Sequence, residues 1–263
     1  GIDEVLVLDE GIGGWLRTVR DLRGRRISLA LDLLSSPRSA IITRFSAAAV
    51  RIGFATGRHD WCYDHLLPRS IRRDGTRVKR YTLDSNLEYA SMLGVGGGSP
   101  GPGGPCGDGS YPVYGFPAAK RGADRARFIL SEAGKAEEGF FGLVTGSSYG
   151  SKSWPADRFA ELASKVLEET GMRPVIICGP GEEDEARSIS SAVPDSVMPP
   201  VTGIPELGAI IASMRMIIGV DSGPKHIAVL LGVPTVTLFG PTDPAIWDPL
   251  TERHRAISRR LDC

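Results

Sequence analysis

The chain has 263 residues, 41% hydrophobic and 24% charged, with 31 Lys and Arg balancing 31 Asp and Glu. That length can bury a substantial core as one large α/β domain or two smaller ones, and zero formal charge argues against a global field aimed at nucleic acid. Cys62, Cys106, Cys178 and Cys263 are scattered, with no Cys-x-x-Cys pair and no zinc-site spacing, which fits a reducing compartment; no signal sequence is visible, and no apolar run reaches the ~18–20 residues of a membrane span.

In chain order, residues 5–8 read as a strand, followed by strands at 27–32 and 50–54. Helices at 15–22 and 39–48 separate them, and another is expected at about 83–93. Three strands make a thin Rossmann-like domain. Arg69, Arg72, Arg73, Arg77, Lys79 and Arg80 are accompanied only by Asp74, so the neutral chain carries a local basic patch. It reads either as a solvated loop or as a surface for anions. Residues 94–109 are rich in Gly and Pro and read as a flexible surface loop. A linker at 135–139 would divide the chain into domains at 1–135 and 140–263.

The second half has a regular βα rhythm. Residues 141–145 form a strand, and Trp154-Pro155 opens a helix with Phe159, Leu162, Ala163, Val166 and Leu167 on one face. Gly171 ends it, and residues 175–178 are the next strand. Gly179-Pro180-Gly181 leads into an acidic first turn, Glu182, Glu183, Asp184 and Glu185, and Pro205 starts another helix. These signals predict a doubly wound α/β domain.

Residues 219–249 condense most of the chemistry. The apolar run 216–220 has the character of a parallel strand covered on both faces, and it stops at Asp221, Ser222, Gly223 and Pro224. Ser222 is placed to cap a helix, Gly223 permits close backbone approach, and Pro224 suits a first turn. Gly232 ends the helix, and residues 235–239 return as a strand before a proline-rich loop. In open parallel sheets, ligands sit beyond the carboxyl ends of strands, where helix N-termini offer free N–H groups to anions. Asp221, Ser222, Gly223 and His226 therefore stand on ligand-facing ground. The run of Asp, Ser and His is no hydrolase triad by pattern, because a triad is assembled from separate segments and Ser222 and His226 share one helix start.

A second constellation follows the 141–145 strand: Gly146, Ser147, Ser148, then Lys152, Trp154 and Pro155. Hydroxyls followed by a lysine before a helix suit a diphosphate, with an ammonium as point charge. The Gly-Lys-Ser/Thr ending of a Walker A loop is absent.

Together these motifs resemble a known family. Gly-Ser-Ser-x-x-x-Lys-x-Trp-Pro at 146–155, Cys-Gly-Pro-Gly-Glu-Glu at 178–183, and Asp-Ser-Gly-Pro-x-His followed by Leu-Gly-x-Pro-Thr-Val-x-Leu-Phe-Gly-Pro-Thr-x-Pro at 221–244 are similar to the ADP-heptose:lipopolysaccharide heptosyltransferases of glycosyltransferase family nine. The match spans nearly all of residues 140–250. It is looser upstream, at Leu31-Asp32-Leu33, Arg38-Ser39-Ala40 and Arg51-Ile52-Gly53-Phe54.

The resemblance implies a GT-B fold of two Rossmann-like domains facing a cleft, the N-terminal one incomplete, with the nucleotide sugar on the C-terminal one. By motif position, Ser147, Ser148 and Lys152 would hold the donor diphosphate, Glu183 the adenosine ribose, and Asp221, Ser222, Gly223 and His226 the diphosphate and sugar. Transfer would be a direct displacement with inversion, to a lipopolysaccharide inner-core or related glycan acceptor. The sequence shows no acidic cluster typical of a divalent-ion transferase, so neither metal nor other cofactor is expected. Arg69, Arg72 and Arg73 are the acceptor-side candidates, facing phosphates and carboxylates near the inner membrane, with the protein itself expected in the cytoplasm. Relatives begin with a strand and a Gly-Asp turn whose aspartate is the expected base, which would lie upstream of Gly1; the chain is thus expected to be trimmed at both ends. A non-catalytic nucleotide-sugar-binding module is the alternative.

Overall fold

The computed structural model describes residues 3–8, 11–73, 76–94, 116–132, 134, 136–146 and 150–259. It divides into two compact units, Gly1–Gly103 and Gly104–Cys263.

The first unit contains α1 (Gly11–Gly24), β1 (Leu29–Asp32), α2 (Pro37–Phe45), β2 (Val50–Ala55), β3 (His65–Pro68), β4 (Ser70–Arg73), β5 (Thr76–Lys79) and α3 (Thr82–Met92). β1, β2 and β3 form a parallel sheet in that order, with Leu29 opposite Val50 and Ile52 opposite His65. The strand expected at 5–8 is not one: no described strand pairs with it, and Val5 and Val7 are exposed. An apolar run becomes a strand only where a neighbour satisfies its backbone groups. The third strand is instead His65–Pro68. The arginine-rich run is likewise not a loop but the antiparallel pair β4–β5, with Arg72 opposite Arg77. Pro37 opens α2 behind a reciprocal cap, in which Ser36 and Ser39 each accept the other's backbone N–H.

The second unit begins with α4 (Pro117–Glu132) and continues with β6 (Phe140–Val144), α5 (Ala156–Thr170), β7 (Arg173–Ile177), α6 (Glu183–Ala192) and α7 (Ile204–Ala212). It ends with β8 (Ile217–Val220), α8 (Gly223–Leu231), β9 (Thr235–Phe239), α9 (Pro244–Trp247) and β10 (His254–Ser258). The boundary lies upstream of the linker expected at 135–139, because α4 packs against α7. That contact is close enough that a Cβ on Gly122 would stand 2.4 Å from the Pro205 carbonyl oxygen. The Gly- and Pro-rich run is outside the described residues except at Gly94.

The five strands are parallel in the order β7-β6-β8-β9-β10. Alternate residues feed two cores. Val144, Val175, Ile177 and Ile217 join residues of α4, α7 and α8 on one face. Phe141, Leu143, Ile176, Ile218 and Val220 join Phe159 and Ala163 of α5 and Ala186 and Ile189 of α6 on the other. Each fully buried Phe or Ile contributes about 1.5–3 kcal/mol by leaving water. Gly171 and Gly232 stop α5 and α8 in the left-handed conformation, as their positions predict.

From β6 the chain winds first outward to β7, then crosses back to β8 on the opposite side of β6. The crevice where winding reverses is the place where such sheets receive ligands. Lys152 follows β6 and Asp221 follows β8, so both expected constellations border this reversal.

Candidate functional site

Three strand ends build the site. After β6, Gly150–Lys152 makes a single 3-10 turn that delivers Lys152; after β8, the chain turns through Asp221 and Ser222 into α8. After β9, Gly240 passes so near the first turn that a Cβ would stand 2.9 Å from the Ser151 carbonyl oxygen. Thr242 follows at once.

Asp221 is the hub. Its carboxylate is only 4% exposed, and Oδ2 accepts from Lys152 Nζ at 2.8 Å and from Thr242 Oγ1 at 2.9 Å. Lys225 Nζ and His226 Nε2 each lie 3.8 Å from Oδ1. Asp221 is thus held by residues from all three strand ends.

Ser222 stands at the N-cap of α8 but does not cap it. Its Oγ donates to the Val220 carbonyl at 3.4 Å, and no side chain caps the helix. This corrects the expected capping role, and it leaves the first-turn N–H groups, Gly223 among them, available to an anion. His226 lies one turn further, its ring centroid 6.2 Å from that of Trp247. Burial, and after it the Lys225 cation, bring its pKa down to about 4. His226 is therefore neutral near pH 7 and offers a hydrogen bond rather than a charge. The Ser222 hydroxyl is engaged by the Val220 carbonyl, consistent with the exclusion of a triad.

Glu183 opens α6 beyond the end of β7, separated from β8 by β6 in the sheet. Its neighbour has a more definite local function than the dipole charge expected of it. Glu182 Oε2 accepts the Gly179 N–H at 2.7 Å, and its carboxylate rests where a Cβ on Gly146 would be, 1.7 Å from Oε2. Gly146 is needed there for that close approach. Ser147 and Ser148 lie outside the described residues.

In the first unit, Asp32 ends β1 as a buried carboxylate. Oδ1 accepts the backbone N–H groups of Leu34 and Ser35 at 3.0 and 2.8 Å, and Oδ2 accepts the Tyr63 hydroxyl at 2.7 Å. Arg69 is exposed, yet it donates to the Leu34 carbonyl and lies 4.9 Å above the Phe54 ring, so it is held at the same corner. Arg72 and Arg73 lie on β4, with side chains outside the described set. Arg80, part of the same basic run, is buried and paired with Glu88. The run is therefore not one continuous cationic surface.

Sequence reasoning passed over Thr242, Lys225 and Asp248. The available signal was Lys225, a cation in the first turn of an otherwise apolar helix, where the dipole disfavours it.

Among the described residues, no helix is long and apolar enough to cross a membrane. A lipopolysaccharide heptosyltransferase 3 of Escherichia coli strain K12 is 37% identical over 107 residues, covering 38% of this chain and 30% of that protein. Another from Escherichia coli is 28% identical over 258 residues, covering 91% of this chain and 67% of the relative. The chain thus spans between about a third and two thirds of these relatives' lengths. The solved Escherichia coli heptosyltransferase WaaC with ADP superposes with a TM-score of 0.64 at 16% identity, over 95% of this chain and 73% of that one. At that identity the likeness shows the fold, α/β of GT-B type. The sequence profile of glycosyltransferase family 9 (heptosyltransferase) matches residues 15–263, and the chain belongs to that family.

Proposed function

We propose that this protein binds a nucleoside diphosphate sugar, ADP-heptose by its family, at the switch point of the second unit, for transfer of the heptose to a lipopolysaccharide-core or related glycan acceptor. The observation that carries this reading is the convergence of Lys152, Asp221 and the uncapped α8 N-terminus on one crevice. The solved relative described with ADP supports the choice of nucleotide.

Chemistry follows from the leaving group. As the bond from the anomeric carbon to the diphosphate oxygen breaks, negative charge grows on ADP. Lys152 and the N–H groups of α8 would stabilise that charge, so no general acid is needed. The acceptor hydroxyl attacks the opposite face of the sugar, which inverts the anomeric centre, and loses its proton to a base. That base is assigned to the aspartate of the family's N-terminal Gly-Asp turn. Ser147, Ser148, Ser222, Gly223 and His226 are assigned to the diphosphate and sugar, and Glu183 to the ribose, whose hydroxyls a carboxylate accepts. Arg69, Arg72 and Arg73 are assigned to the acceptor side.

Calorimetry with ADP and ADP-heptose tests the binding half, and product formation with a glycan acceptor tests transfer. Lys152→Ala should weaken ADP about 10- to 100-fold, the range for a lost hydrogen bond to a charged group. An absence of ADP affinity in the unaltered chain would reject the proposal. ADP binding without transfer would leave a nucleotide-sugar-binding module.

A further inference from the structure

Lys225 is costly where it stands. It occupies the first turn of α8, against the helix dipole, and its side chain is 2% exposed, so it also forfeits hydration. Its surroundings compensate. Nζ donates to the Trp247 carbonyl, lies 3.6 Å from Asp248 Oδ2 and 3.8 Å from Asp221 Oδ1, and stands 5.4 Å above the Phe239 ring. Asp248 is itself buried; Oδ1 accepts the Leu250 N–H at 3.0 Å, while Oδ2 has no hydrogen bond among the described residues. Burial draws the Lys225 ammonium below the ordinary lysine range, and Asp248 and Asp221 act in the opposite direction.

The consequence concerns Lys152. Asp221 stands between two ammonium groups, with Lys152 at 2.8 Å on Oδ2 and Lys225 near Oδ1. Lys152 is the more accessible, at 19% exposed, and is the one that can turn toward a ligand. An incoming diphosphate must compete with Asp221 for it. A carboxylate already compensated from its other oxygen holds Lys152 less tightly.

We propose that Lys225 is a positioning residue for the donor site, a buried counter-charge that compensates Asp221 so that Lys152 is released to the diphosphate, while it anchors the 240–248 segment through Trp247 and Asp248. This proposal rests on the donor-site reading above and adds the residue that sets the strength of that site. Lys225 itself touches no ligand.

The test is calorimetric titration of the full chain with ADP at several salt concentrations, together with thermal melting. Lys225→Met removes the charge at similar length. Lys225→Met/Asp248→Asn also removes the carboxylate that the first change would strand, and so keeps the experiment decisive if the single variant folds poorly. The double variant should melt within a few degrees of the unaltered chain yet bind ADP about tenfold more weakly, with a shallower salt dependence, because Lys152 is then retained by Asp221. Loss of a merely structural contact would not flatten the salt dependence. Affinity and salt dependence equal to those of the unaltered chain, with Lys152→Ala still weakened, would overturn the role of Lys225 and leave the donor site standing. No ADP binding by the unaltered chain would overturn both.

Discussion

At the scale of single residues, the site depends on partnerships that make ordinary side chains unusual. Asp221 holds Lys152, Thr242 and the neighbourhood of Lys225 together but competes with the diphosphate for Lys152, so Asp221→Asn should lower the melting temperature more than Lys152→Ala while leaving ADP binding at least as tight as in the unaltered chain. Parallel calorimetry and melting curves would check that ordering. In the first unit, the Tyr63 phenol is pushed up by burial and donates to Asp32. Tyr63→Phe leaves that carboxylate with two donors, the Leu34 and Ser35 N–H groups, and should cost about 1–3 kcal/mol, measured by urea unfolding. The residue types at the crevice were legible from the sequence, because Asp, Ser, Gly and His after an apolar run have few other uses. Their division of labour was not: Ser222 is at the cap position without capping, and Lys225 is buried although lysine is usually solvated.

At the scale of elements, strands with a continuous apolar run and helices with clear stops were readable, as β6, α5, β8 and α8 show. Elements whose form depends on a neighbour were not. Residues 5–8 have a strand's composition and no partner among the described strands, whereas the hairpin β4–β5 has a loop's composition and a partner in register. α4 is the largest omission; its charged surface hides the small residues, Ala119, Gly122 and Ala126, that bring it onto α7. Gly122→Ala should therefore destabilise the second unit by about 1–3 kcal/mol through overpacking, although alanine is the better helix former. Chemical denaturation would show the loss; a gain in stability would mean that α4 is not seated as described.

At the scale of the molecule, acid sensitivity follows from two histidines, His226 and His254, both drawn down to about 4 chiefly by burial. His254 is 3% exposed, its Nδ1 lies 3.0 Å from Thr235 Oγ1, and burial lowers its pKa from 6.5 to about 4. The unfolded chain binds a proton there more readily than the folded one, so stability is complete above about pH 6.5 and falls as pH drops toward 4. The full contribution is about 3 kcal/mol. Melting temperature should decline over that window, and His254→Gln should flatten the decline in part, with His226 supplying the remainder; an unchanged slope would show that His254 titrates normally. The amino-acid sequence by itself determined the α/β rhythm, the family and the turns proposed to receive an anion, because periodicity, helix stops and motif spacing are local properties. Only the tertiary structure decided that Lys152 meets Asp221 across 69 residues, that α4 belongs to the second unit, and that Lys225 lies beneath the site. These depend on strand order and on which face each helix covers, and both are set by contacts between distant segments.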